Sequence, residues 1–227
     1  MQKTGTDGSY SRRAFLGMTG IGALFSALAA PLPWHLSAKK ACASARKNIL
    51  ILTGSSREGG NSDLLAEAFA KGAQEAGHDV KIFHCGRSNI RACLFCGKCW
   101  SAGSPCVQKD DFDQLWPLLE QADMLVFCSP LYWYNVSGHL KCAVDRFFPY
   151  SQKRKPRDLK IKETMLLMCG ESWFEKSFAG PAEAYRQMTG YKGWKDRGRL
   201  FATRVYDKGA IADSSVLKKA EKMGREA

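Results

Sequence analysis

A chain of 227 residues that is 45% hydrophobic and 25% charged has an ordinary globular composition, which excludes a fibrous or largely disordered protein and makes one folded domain the natural expectation. Its formal charge of +12 is strongly basic. No aromatic residues interleave the main basic run, however, so the charge makes no case for nucleic acid.

The first segment differs in character from the rest. In Ser11–Gly17, "SRRAFLG", Arg12 and Arg13 precede an uncharged stretch, Ala14–Ala38, rich in Gly, Ala and Leu; small residues follow as "ACASA", Ala41–Ala45. A basic region, an apolar region and an A-x-A site are the parts of an export signal, cut here after Ala43 or Ala45. The paired arginines resemble a twin-arginine (Tat) signal, which implies that the Tat translocase exports the protein already folded, to the periplasm or beyond. The alternative is a membrane anchor through an uncleaved leader, which Gly17, Gly20, Gly22, Pro31 and Pro33 disfavour. A lipoprotein site at Cys42 is disfavoured by Lys39 and Lys40. Loss of residues 1–45 leaves a domain, 46–227, with a formal charge of +8. Part of that excess sits in "QKRKPRDLKIK", Gln152–Lys162, readable as a solvated loop or as a face for an acidic partner or anionic lipid.

"KNILILTG", Lys47–Gly54, is a short apolar run ending in glycine, as in a strand buried on both faces of a parallel sheet. Asn61 is placed to cap a helix over "SDLLAEAFAKGAQEAG", with Gly77 as its stop. "HDVKIFHC" reads as a second strand. Asp110 or Asp111 opens a helix over "DFDQLWPLLEQAD" that Pro117 is expected to kink or split. "MLVFCSP" is a third strand and Ser137–Phe148 a helix. "TMLLMCG" is a fourth strand, "GPAEAYRQM" a helix, "RLFATRVY" a fifth strand and "SSVLKKAEKM" a last helix. Five strands alternating with five helices predict an α/β sandwich around a doubly wound parallel sheet.

Ligands of such sheets bind beyond the carboxyl ends of the strands, so the loops after strands 1, 3 and 4 are the ones to inspect. The first, "GSSREGGNS", Gly54–Ser62, brings hydroxyls and Arg57 to a helix N-terminus, an anion cradle. Asn61 stands where a nucleotide P-loop needs lysine, and the spacing is not G-x-G-x-x-G, so a single terminal phosphate fits best. The third loop, "SPLYWYNVSGHLK", carries three adjacent aromatics that cannot all face a core. They offer a stacking surface for a flat heteroaromatic, or an oligomer interface.

Between strand 2 and its helix, "CLFCGKCWSAGSPC" sets Cys93, Cys96, Cys99 and Cys106 in the pattern C-x2-C-x2-C-x6-C. Such a run lets one loop wrap three corners of a [4Fe–4S] cluster, with Cys106 available for the fourth. A structural zinc, cramped by this spacing, and disulfides formed after export are the competing readings. Cys85, Cys128, Cys142 and Cys169 read as small buried hydrophobes. His84 and His139 read as a strand-end residue and a helix-start residue.

"GSSREGGNS" followed by "SPLYWYNVSGHLKCAVDRF" resembles the flavodoxin-like NADPH-dependent FMN reductase family, and "CLFCGKCWSAGSPCVQKDD" between them resembles its iron-sulfur flavoprotein branch; the likeness extends to "GYKGWKDRGRL". The resemblance implies a flavodoxin-like three-layer fold with strand order 2-1-3-4-5, bound FMN, and a homodimer or homotetramer. Carried over by position, it implies that Ser55, Arg57, Asn61 and Ser62 hold the FMN phosphate. Pro130, Leu131, Tyr132, Trp133 and Asn135 would line the isoalloxazine, and Gly170 would approach it from the other side. It also implies the [4Fe–4S] cluster. No side chain is named as a general acid or base.

The expected function is that of an exported FMN-dependent oxidoreductase passing electrons between FMN, the cluster and a redox partner. Export would separate the protein from the family's usual NAD(P)H donor, so an electron-carrier protein, a quinone or another small molecule is the partner to consider beside NAD(P)H as co-substrate. A cluster-free FMN or quinone reductase and a non-catalytic flavin-binding module stand as alternatives.

Overall fold

The computed structural model describes residues 45–151 and 155–227. The expected twin-arginine leader with its expected A-x-A sites up to Ser44, and Gln152, Lys153 and Arg154 of the basic run, lie outside the described residues.

Five strands, β1 (Asn48–Thr53), β2 (Asp79–His84), β3 (Met124–Pro130), β4 (Glu163–Cys169) and β5 (Lys195–Ala202), form one parallel sheet in the order β2-β1-β3-β4-β5. With the helices α1 (Asn61–Glu75), α2 (Phe112–Gln121), α3 (Gly138–Asp145), α4 (Ala179–Lys192) and α5 (Ser215–Arg225), this is the doubly wound α/β sandwich that the alternation predicts, in the flavodoxin-like strand order that the resemblance implies. The central strands are near-continuous apolar runs because each buries both faces. Ile49, Ile51, Val126 and Leu167 pack on α1 and α5; Leu50, Leu52, Phe127 and Leu166 pack on the opposite layer of α2, α3 and α4. The helices α1 and α5 touch backbone to backbone: a Cβ on Gly72 would lie 1.8 Å from the Glu221 carbonyl, and one on Gly224 2.1 Å from that of Phe69.

Three expectations need correction. Pro117 does not split α2, because burial of Phe112, Leu115 and Leu119 on the sheet outweighs the one backbone bond that proline removes. The first helix is capped by Gly60, not Asn61, whose side chain is used elsewhere. Strand β5 starts four residues before Arg199, paired with β4 from Glu163↔Lys195 to Cys169↔Ala202, and ends before the sequence reading has it. As a half-exposed edge strand it lacks the apolar signature of its neighbours, and Arg204 at φ 60 turns the chain out of the sheet.

Within the described part of the basic run, Arg157 pairs with Glu120 at 3.1 Å, Lys160 with Asp123 at 3.0 Å, and Lys155 with Asp158, so these cations are matched within the chain. No described helix is long and apolar enough to cross a membrane.

Candidate functional site

The loops after β1, β3, β4 and β5 close around one cavity of about 420 Å³ at the carboxyl edge of the sheet. Ser55, Arg57, Asn61 and Ser62 line it from the first loop, Pro130, Leu131, Tyr132 and Trp133 from the third, and Gly170 from the fourth. Asn135 does not; its Oδ1 accepts the Val136 N–H at 2.8 Å.

The first loop is held by its own hydroxyl. Ser55 Oγ donates to the Arg57 carbonyl at 3.1 Å and accepts the Arg57 N–H at 3.2 Å, and the Gly60 N–H closes the turn on the same carbonyl at 3.0 Å. Gly86 presses from behind, where a Cβ would fall 2.1 Å from the Ser55 carbonyl. Gly60 supplies no side-chain cap to α1, so the first-turn N–H groups keep their capacity to bind an anion. The one carboxylate of that turn, Asp63, is turned away: buried, it takes the Gly59 N–H at 3.1 Å and Arg87 Nη1 at 2.7 Å. Asn61 is pinned at both ends of its amide, donating to the Asp207 carbonyl at 2.8 Å and accepting the Ile211 N–H at 3.2 Å. The Ser62 hydroxyl is buried 3.1 Å from Cys169 Sγ. Both side chains thus shape the wall; the loop's own N–H groups at Arg57, Gly59 and Gly60 are spent within it, and the donors left for a ligand are the first-turn N–H groups of α1 and the Arg57 guanidinium.

The third loop doubles back at once. Tyr132 and Asn135 exchange both backbone bonds at 2.9 Å, leaving Trp133 (φ 47) and Tyr134 (φ 59) at the tip in left-handed backbone. Glycine or asparagine is the usual choice there; bulky aromatics carry strain of about 1–3 kcal/mol each. Trp133 is 95% exposed. A hydrophobic pair held out of a core at a conformational cost points to a ligand or partner surface. An open groove of about 720 Å³ on the far side of this turn adds Trp173, Phe174 and Lys176.

Val205, Tyr206 and Lys208 complete the main cavity from the chain after β5, with Cys169 and Glu171 from β4 and its loop. Sequence reasoning missed this wall because it inspected only the loops after strands 1, 3 and 4 and carried the fifth strand on through Tyr206, whereas β5 ends at Ala202. Burial pushes the Cys169 thiol up to about 11 and the Cys85 thiol to about 12, so these groups stay protonated and unreactive. Cys128 is raised likewise, whereas Cys142 is only partly buried.

The four clustered cysteines line a second, small cavity of about 20 Å³, together with Phe95, Arg146, Phe148 and Pro149. Phe95, Gly97, Trp100 and Gly103 all have positive φ, which lets so short a loop wind round its own sulfurs. Other elements brace it. Trp100 Nε1 donates to the Pro149 carbonyl at 3.2 Å, and its ring meets Tyr150 edge-on at 5.5 Å. Arg146, fully buried at the end of α3, donates to the Arg91 carbonyl and to Asp110, both at 3.0 Å, while its Nε has no partner. Burial by itself would raise the Asp110 carboxyl, but Arg146 and the N–H groups of Arg91 and Phe112 hold it below the usual range. Among the described residues no three His, Cys, Asp or Glu side chains are grouped to hold a metal ion. A single tetrahedral ion would need its donors about 2.3 Å from one point. The four thiols share the border of one small cavity.

A family model described as NADPH-dependent FMN reductase matches residues 47–175. An iron-sulfur flavoprotein of Archaeoglobus fulgidus is 35% identical over 102 residues, 45% of this chain and 46% of that protein. One from Methanosarcina thermophila is 29% identical over 53% of this chain and 62% of its own length. The chain spans about half the length of the curated relatives it matches. Among solved structures, an NAD(P)H:quinone oxidoreductase from Methanothermobacter marburgensis superposes with a TM-score of 0.59 at 23% identity, covering 80% of this chain and 97% of the other, a likeness of fold.

Proposed function

The chain belongs to the NADPH-dependent FMN reductase family, and from that premise we propose that it is an FMN-dependent oxidoreductase that passes electrons between FMN, a [4Fe–4S] cluster and a redox partner outside the cytosol. The observation that carries the reading is the 420 Å³ cavity, which unites an uncapped helix N-terminus and Arg57 at one end with the Leu131–Trp133 turn at the other. Its size suits a ligand of the flavin class.

In this reading the Gly54–Gly60 loop and the first turn of α1 take the phosphate. Tyr132 and Trp133 cover one side of the ring system and Gly170 the other. A side chain at Gly170 would meet Leu131 Cβ at 2.9 Å, so glycine there lets Leu131 pack against the fourth loop. Held there, FMN would supply two-electron transfer. The groove beyond the aromatic turn would offer a small-molecule acceptor, or an electron-carrier protein, a docking place against Trp133, Tyr134, Trp173 and Phe174.

Cys93, Cys96, Cys99 and Cys106 would hold the cluster, which supplies transfer of single electrons. Arg146, buried beside them and paired with Asp110, braces the loop that carries them through the Arg91 carbonyl. The two sites share a support: α3 begins just after the aromatic turn and ends at Arg146, eight residues or about 12 Å along its axis. A twin-arginine leader, as the motif at Ser11–Gly17 suggests, would agree with this reading, since a protein loaded with iron, sulfide and FMN in the cytosol would need to cross the membrane folded.

A cluster-free FMN or quinone reductase is the second reading, favoured by the absence of a metal-ion grouping among the described residues. Isolation under strict anaerobiosis, with analysis of FMN, iron and acid-labile sulfide, separates the two. The first expects one FMN per chain with iron and sulfide in equal amounts; FMN alone establishes the second, and neither cofactor overturns both.

A further inference from the structure

The chain after β5 reaches back over the sheet edge and fastens to the first loop at three points: Arg57 Nη1 to the Tyr206 carbonyl at 3.3 Å, Asn61 Nδ2 to the Asp207 carbonyl at 2.8 Å, and the Ile211 N–H to Asn61 Oδ1 at 3.2 Å. Lys208 stands between these anchors. A Cβ built on Gly59 would lie 3.6 Å from its Cε and 3.9 Å from its Nζ, so the ammonium is carried directly over the loop. Gly59 itself sits at φ 60, a backbone that a side chain would strain.

Lys208 and Arg57 line the same cavity that the α1 N-terminus faces. Among the described residues neither pairs with a carboxylate, whereas the neighbouring Arg87 is neutralised by Asp63 at 2.7 Å. Two unmatched cations beside a helix N-terminus are more positive charge than an uncharged ligand calls for. They match a phosphomonoester, which carries roughly −1.5 to −2 near neutral pH.

We infer that Lys208, held over the first loop by the Asn61 anchor, is a second cation for the FMN phosphate and makes this chain select the phosphorylated flavin over riboflavin. The inference rests on the FMN reading above. Lys208 is exposed and packs against no core, so its substitution leaves the fold intact.

The test is equilibrium binding of FMN and of riboflavin to flavin-free protein, followed by quenching of flavin fluorescence, for wild type, Lys208→Gln and Lys208→Arg. Lys208→Gln is expected to weaken FMN on the order of tenfold while leaving riboflavin unchanged; Lys208→Arg keeps the wild-type preference. Added salt should weaken FMN binding to wild type more than to Lys208→Gln. Unchanged FMN affinity in Lys208→Gln, or equal loss of both flavins, overturns the assignment while leaving the FMN reading intact. Wild type that binds neither flavin overturns that reading and the assignment with it.

Discussion

The two cavities are built in opposite ways. The larger one takes its walls from four loops that lie far apart in the chain and meet only because a parallel sheet brings its strand ends to one edge. The smaller one takes all four of its thiols from fourteen consecutive residues, yet its braces, Arg146, Pro149 and Tyr150, come from α3 and the turn behind it. A site made by topology should survive damage to any single distant brace. A site made by one loop should depend on the few contacts that hold that loop in place.

The comparison breaks most sharply at Cys96. Cys96→Ser is expected to abolish iron-sulfur absorbance completely while FMN binding stays at the wild-type level, because no residue of the first loop touches the cysteine cavity; a parallel loss of both would show that the sites are not separable. Next in size is Arg146→Met, which leaves the Asp110 carboxylate to Arg91 and two backbone N–H groups and should cost about 3 kcal/mol in chemical denaturation. Adding Asp110→Asn should recover much of that loss. On the other side, Gly86→Ala forces a methyl group against the Ser55 carbonyl. It should cost about 1–3 kcal/mol and weaken FMN binding, with iron content unchanged.

The smallest effect is one of pH. Asp110 has a folded-state pKa below its unfolded value near 4. Its contribution to stability is therefore complete above that unfolded value and is lost as pH falls through the lower, folded one. Acid titration of the apoprotein followed by tryptophan fluorescence should show the environment of Trp100 loosening only below about pH 4, and Asp110→Asn should remove that transition.

Much of this was legible in the residues. Apolar runs such as Ile49–Leu52 and Met124–Cys128 mark strands buried on both faces, and "GSSREGGNS" marks an anion cradle because hydroxyls, a cation and glycines there precede a helix. Nine of the ten positions expected at the flavin gather on one cavity, a consequence of strand ends sharing an edge. What the residues do there was less legible. Asn61 is matched by a segment some 150 positions away, and nothing local announces that. The wall at Val205–Lys208 was hidden because an edge strand, half exposed, carries no clear alternation, and its end is set by pairing with β4 and by the turn at Arg204. Likewise the spacing of the cysteines speaks of a shared occupant but says nothing of Arg146, which lies 40 residues beyond Cys106 in the chain.

The central claim, that one chain carries both a flavin and a cluster, is tested most directly by anaerobic reductive titration of the isolated protein, counting electrons from the visible spectrum. The account expects about three reducing equivalents per chain, two for FMN and one for the cluster. An uptake of only two would contradict it on the cysteine side, and no uptake at all would contradict it on both.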